Sequence, residues 1–199
     1  ETLLAMVRAP LYSPALAAGL PAALDAAAAG RWAPLAALGR ALLGPGGGLA
    51  TGQHFSVVCS EDLGPGAPPA PPALPPSAVF GAGARALYQA ACADWPRATV
   101  SAAFYTLPPA VAPTWLLSGS LDPVTPPRHG QRVAQALGPL ARHLVVPHTG
   151  HGTLALPCLR DAVARFITTD DDATALATPA DCAASLPRPP AFQPPGGTP

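Results

Sequence analysis

Residues Pro113 to Ile167, PTWLLSGSLDPVTPPRHGQRVAQALGPLARHLVVPHTGHGTLALPCLRDAVARFI, decide the reading of this chain. The apolar run Thr114–Leu117 is bounded by Pro113 and by the turn-forming Ser118–Gly119–Ser120, and so predicts a short buried strand. Asp122 lies just past its end. Pro126 and Pro127 open a helix, with Thr125 as the expected N-cap, and Val133, Ala136 and Leu137 fall at helical spacing. A second apolar run, His143–Val146, stops at Pro147 and leads into Gly150–His151–Gly152. Strand, helix, strand, helix is the alternation of an α/β fold with parallel strands. In such sheets the turns at the carboxyl ends of the strands carry the chemistry, and both Asp122 and His151 fall there.

An acid followed by a histidine supplies two of the three groups of a nucleophilic triad. The carboxylate would hold the imidazole in one tautomer, and the imidazole would move the proton of a serine. Glycines on both sides let the backbone at His151 turn sharply. His148, three residues earlier, is the rival base; His129 and His143 read as surface or structural, and nothing compels a role for His54. Ser118 and Ser120 share the acid's own turn, a poor place from which to reach the base.

Five pieces in order extend the pattern: Val57–Val58–Cys59–Ser60–Glu61–Asp62, Cys92–Ala93–Asp94–Trp95–Pro96, SGSLDPVTPP with Asp122, VVPHTGHG with His151, and the Cys158–Leu159–Arg160 helix. Together they resemble the C-terminal part of the α/β-hydrolase fold, and more narrowly the tripeptidyl aminopeptidase-like family of secreted serine exopeptidases. The resemblance covers most of residues 53–185. It implies the last parallel strands of that fold with their flanking helices, plus a helical lid. The chain then divides into a lid segment (1–52), the end of the lid with a proline-rich loop and connecting helix (53–110), the segment carrying acid and histidine (111–186) and a proline-rich tail (187–199). No metal or organic cofactor is implied, and the expected partner is a peptide or small ester substrate.

One departure from the family bears on mechanism. The strained elbow that presents the serine in this fold reads G-x-S-x-G, and no such pattern occurs among the 199 residues. Since the order in this fold is serine, acid, histidine, the expectation is that the serine lies upstream of Glu1. The N-terminal half of the hydrolase domain would then be a partner if the chain is cleaved or truncated. A catalytically inactive fragment or binding module, and an esterase on the same fold, are the alternatives.

The four cysteines lack C-x-x-C spacing and are not grouped with histidines as a zinc site. They allow three connectivities, besides four buried thiols. The resemblance, together with sequence proximity, favours Cys59–Cys92 and Cys158–Cys182. Two disulfides imply an oxidising, extracytoplasmic compartment. Glu61 and Asp62 are candidates to hold the free amino terminus of a peptide, because an ammonium group favours a carboxylate partner; a solvated turn is the plainer alternative.

Composition narrows the field further. Hydrophobic residues make up 49% against 11% charged, too apolar for a wholly disordered chain. The net charge is zero with scattered arginines and no lysine, which leaves no electrostatic footprint for nucleic acid. No apolar run reaches membrane-spanning length. Helices are expected over Glu1–Leu43, with Leu3, Leu4 and Val7 on one face, one stretch from Pro14 to Ala29 and another from Trp32 to Leu43. A further helix is expected over Ala82–Ala93 with Leu87 and Ala91 inward, and Trp95 as a packing residue. Pro65–Pro76 reads as an exposed loop, Asp170–Asp172 as a solvated turn, and residues 187–199 as disordered, with Cys182 pinning the chain before them.

Overall fold

The computed structural model describes residues 2–41, 50–68 and 82–192. In chain order the helices are α1 (Thr2–Arg8), α2 (Pro14–Ala17), α3 (Leu20–Ala28), α4 (Ala33–Arg40), α5 (Thr51–Val57) and α6 (Ala82–Asp94). Strand β1 (Thr114–Gly119), helix α7 (Pro127–Leu137), strand β2 (Ala141–Val146) and helices α8 (Pro157–Thr168) and α9 (Asp172–Leu176) follow. The chain divides into two compact units. One holds Glu1–Ala5 with Leu43–Leu107, the other Met6–Leu42 with Pro108–Pro199. The glycine–proline stop after residue 43, most of the proline-rich loop and the last seven residues lie outside the described residues.

In the second unit β1 and β2 pair in parallel, in register from Thr114 opposite Ala141 to Gly119 opposite Val146. The alternation of side chains then sorts the strands into two faces. Leu116, Ser118 and His143 point toward α7. There the Ser118 hydroxyl and His143 Nε2 are 2.9 Å apart, and Gly130 lets the helix come down on both; a Cβ at residue 130 would lie 2.8 Å from the hydroxyl oxygen. Burial pushes the His143 imidazole below its usual range, because desolvation disfavours the charged ring. Trp115, Leu144 and Val146 point the other way, into a core with Leu159, Ala162, Ala180 and Ala183. Helices on both faces of a parallel pair are the α/β arrangement expected from the alternation.

The Cys158–Cys182 disulfide ties α8 to the segment after α9. Arg142 lies 5.0 Å from the Trp115 ring centre and donates to the carbonyls of Leu176 and Thr178, fastening the same segment to β2. A second core, Leu20, Ala23, Ala27 and Leu35 with Val7, Leu11 and Leu38 against it, joins α3 to α4. The single helix expected over Pro14–Ala29 is two, parted at Ala18–Gly19. Pro21 explains the break: it has no N–H to give to an uninterrupted helix and suits the first turn of a new one. Leu3 and Leu4 are exposed, and only Val7 of that expected face reaches a core.

In the other unit, α5 runs into a π-helical turn over Val58–Asp62, and Cys59 bonds Cys92 of α6. Both cysteines are fully buried. Their bond fixes which side of α6 faces inward. Tyr88, one turn before Cys92, meets His54 and Phe55, whereas Leu87 is exposed, contrary to expectation. Trp95 packs at a tilt against Phe55, with ring centroids 5.3 Å apart, and donates to Ser56. Asp171 caps α9 by accepting from the backbone and hydroxyl of Thr174, so the acidic run starts a helix where a solvated turn was expected.

Candidate active site

Asp122 and His151 sit on the turns that follow β1 and β2, and the parallel register puts both turns at the same end of the sheet. Their side chains meet: Asp122 Oδ2 is 2.9 Å from His151 Nδ1. A carboxylate only accepts, so Nδ1 carries the proton and Nε2 is the basic nitrogen. Asp122 is almost completely buried, while 45% of the His151 side chain is exposed. Among the described residues Nε2 has no hydrogen-bond partner.

The acid is held by its own turn. Its Oδ1 accepts the backbone N–H groups of Val124 at 2.8 Å and Thr125 at 2.9 Å, and its Oδ2 accepts the Thr125 hydroxyl at 2.8 Å. Burial alone would raise its pKa. The hydrogen bonds from Thr125, His151 and Val124 outweigh that and hold the carboxyl at about 2, well under its ordinary 3.8. Asp122 is therefore a charged acceptor across the neutral range. Thr125 does not cap α7 as expected. Pro126 occupies that position with no side-chain cap, and the Thr125 hydroxyl has the stronger acceptor beside it. It also approaches His151 Nδ1 at 3.4 Å.

The histidine turn is tightly seated. A Cβ on Gly119 would overlap the carbonyls of Thr149 and Gly150, so the end of β1 admits no side chain there. His148 adopts φ 54° and Gly152 φ 108°, two left-handed positions on either side of His151. His148 is not hydrogen-bonded to the acid among the described residues; its backbone N–H donates to the Ser120 hydroxyl. Ser118 is engaged with His143, and neither Ser118 nor Ser120 is hydrogen-bonded to His151. His129 is exposed on α7, and His54 pairs with the Tyr88 hydroxyl at 2.9 Å.

Tyr12 is the residue that sequence reading missed. Its carbonyl accepts the His151 backbone N–H at 2.8 Å, and its ring meets the imidazole edge-on, with centroids 5.6 Å apart. Nothing in the sequence marks a tyrosine so far from the histidine. Thr125 was legible in principle, since a threonine three residues after an aspartate often closes a turn on the carboxylate.

Glu61 and Asp62 belong to the other unit, in its π-helical turn, so the structure describes them apart from the Asp122–His151 pair. Neither acid is in an ion pair among the described residues. The Tyr105 hydroxyl donates to the Glu61 carbonyl at 2.7 Å. Its pKa is raised, first by desolvation and then by the negative charges of Asp62 and Glu61. Among the described residues no group of three or more His, Cys, Asp or Glu could hold a metal ion, and no helix is long and apolar enough to cross a membrane.

The family model described as TAP-like protein, of the α/β-hydrolases, matches residues 77–186. The chain belongs to the TAP-like family. The match takes in both strands, the Asp122 and His151 turns, and the cysteines at 92, 158 and 182. No curated protein and no solved structure matches the chain.

Proposed function

We propose that this TAP-like chain carries the acid and base of a serine hydrolase, and that the enzyme is an exported aminopeptidase. The observation that carries the reading is the buried, charged Asp122 bonded to His151 Nδ1, with Nε2 turned out and unpartnered among the described residues. On this reading Nε2 takes the hydroxyl proton as a serine oxygen attacks the scissile carbonyl. It then passes that proton to the leaving amine, while Asp122 stabilises the imidazolium formed between the two steps. The serine and the oxyanion donors come from sequence outside these 199 residues, because no G-x-S-x-G elbow is among them. Helices α1–α4 act as part of a lid, and Glu61 and Asp62 anchor the substrate ammonium group. Two disulfides support an extracytoplasmic setting.

The test is the intact mass of the native gene product before and after a fluorophosphonate probe. One adduct on a serine outside this chain supports the reading, and an adduct on Ser118, Ser120 or another serine of this chain refutes it. Peptides with free and blocked amino termini then separate an aminopeptidase from an esterase on the same fold, since blocking should stop only the former. The missing elbow also favours a second reading, a binding module without turnover. No adduct on any form of the product would select it.

A further inference from the structure

We infer that the Tyr12 turn is the positioning element for His151, so that the helical segment before residue 42 sets the aim of the imidazole. The inference rests on the reading of His151 as the general base. Three observations carry it. The Tyr12 carbonyl accepts the His151 N–H at 2.8 Å. Gly150 lies so close to that carbonyl that a Cβ there would overlap it, and would also come within 3.0 Å of Pro14 Cδ. The Tyr12 ring stands at 76° to the imidazole, at 5.6 Å between centroids, an attractive edge-to-face pairing.

The histidine turn needs such a support. Its His148 is a non-glycine residue in the left-handed region, and such a conformation persists only where surrounding structure over-determines it. Gly119 presses on the turn from the strand side, and Tyr12 and Pro14 close on it from the other. The imidazole, nearly half exposed, is held at one end by Asp122 and flanked by Tyr12. Without the ring it can swing about its bond to the acid, moving Nε2 while leaving Nδ1 in place. Misplacing a reacting atom by about 1 Å costs about a hundredfold in rate.

The support is itself anchored. Tyr12 ends a 3-10 turn (Ala9–Tyr12) closed by the bond from Ser13 N–H to the Pro10 carbonyl. Pro10 is fully buried, and Leu11 packs into the core that joins α3 to α4. Displacement of that helical pair would therefore be felt at His151 through a rigid link of two residues.

The test uses the full gene product with a peptide or ester substrate. Tyr12→Ala should lower kcat by about 10- to 100-fold with KM changed by less than about threefold, and Tyr12→Phe should restore most of the loss because ring and carbonyl remain. Gly150→Ala should lower kcat by at least as much, since its methyl group displaces the Tyr12 carbonyl. Tyr12→Leu serves where the alanine variant does not fold. Wild-type kcat in Tyr12→Ala or Tyr12→Leu overturns the inference, as does a loss that Tyr12→Phe fails to rescue. Asp122→Asn keeps the two failures apart. If it abolishes turnover while the Tyr12 variants do not, only the positioning role falls; if it has no effect, the reading of the dyad falls with it.

Discussion

Replacing Asp122 by Asn changes one atom and should change both the proton on His151 and the acid stability of the second unit. The two backbone donors, Val124 N–H and Thr125 N–H, converge on Oδ1, so the amide must keep its carbonyl oxygen there. Its NH2 group is thereby forced into the place of Oδ2, facing the Thr125 hydroxyl and His151 Nδ1. Nδ1 must then accept, and the proton moves to Nε2. The outward nitrogen becomes a donor, unable to take a serine proton. For a triad the wrong tautomer costs about 10⁴-fold in kcat. The stability effect follows from the carboxyl pKa. Holding it at about 2 instead of 3.8 corresponds to about 2 kcal/mol favouring the folded state. Because the folded value is the lower one, that stabilisation is fully present above about pH 5 and drains away as pH falls toward 2. Urea unfolding of wild type and variant at several pH values between 7 and 2 should show a gap of about 2 kcal/mol at neutrality that closes in acid. Nitrogen-15 shifts of labelled histidine should report the Nδ1–H form in wild type and the Nε2–H form in the variant. A pH-independent gap, or an unchanged tautomer, would refute the reasoning.

Thr125→Val removes the hydroxyl from Oδ2 and leaves both backbone donors in place. The Asp122 carboxyl should titrate higher than in wild type by carbon-13 NMR, with stability at neutral pH lower by about 1 kcal/mol. Paired Cys158→Ser and Cys182→Ser should cost about 3 to 4 kcal/mol, the loop-closure entropy for a separation of 24 residues, while the Cys59–Cys92 bond still forms; urea unfolding and free-thiol titration check the two halves. The His143 pKa is depressed by burial, so its contribution is present above its ordinary value near 6.5 and lost as pH falls through the lowered folded value. His143→Gln should flatten the stability profile over that interval.

Much of the second unit was legible because its signals are local. The runs Thr114–Leu117 and His143–Val146 are apolar, short and closed by turn residues, and both are strands, the second beginning two residues earlier at Ala141. Parallel pairing followed from the helix between them, and with it the meeting of Asp122 and His151. The misreadings came where a second signal, local or tertiary, outbid the one followed. The Thr125 hydroxyl left the helix end for a charged carboxylate. Leu87 lost the inner face of α6 to Tyr88 because a disulfide fixed the rotation of the helix. Pro21 was a local signal for two helices in place of one, overlooked within a run of alanines. Tyr12 could not have been found, since backbone acceptance carries no side-chain signature and its partner is remote in sequence.

The acid takes three of its four hydrogen bonds from the residues next to it, which makes its charge largely a property of the DPVT turn. His151 has no such autonomy. Its turn contains two left-handed residues, is squeezed against Gly119, and hangs from a carbonyl supplied by a distant helical segment. The two members of the Asp122–His151 pair should therefore fail differently. Perturbing the local turn changes the charge and the proton, read as a tautomer and a pH profile. Perturbing the helical segment changes where an otherwise normal imidazole points, read as kcat alone. A variant in α3 or α4 that loosens the Leu20–Leu35 core without unfolding the unit should thus resemble Tyr12→Ala and not Asp122→Asn. If it shifted the His151 tautomer instead, the separation of charge from aim would be wrong, and the helical segment would have to act on Asp122 as well.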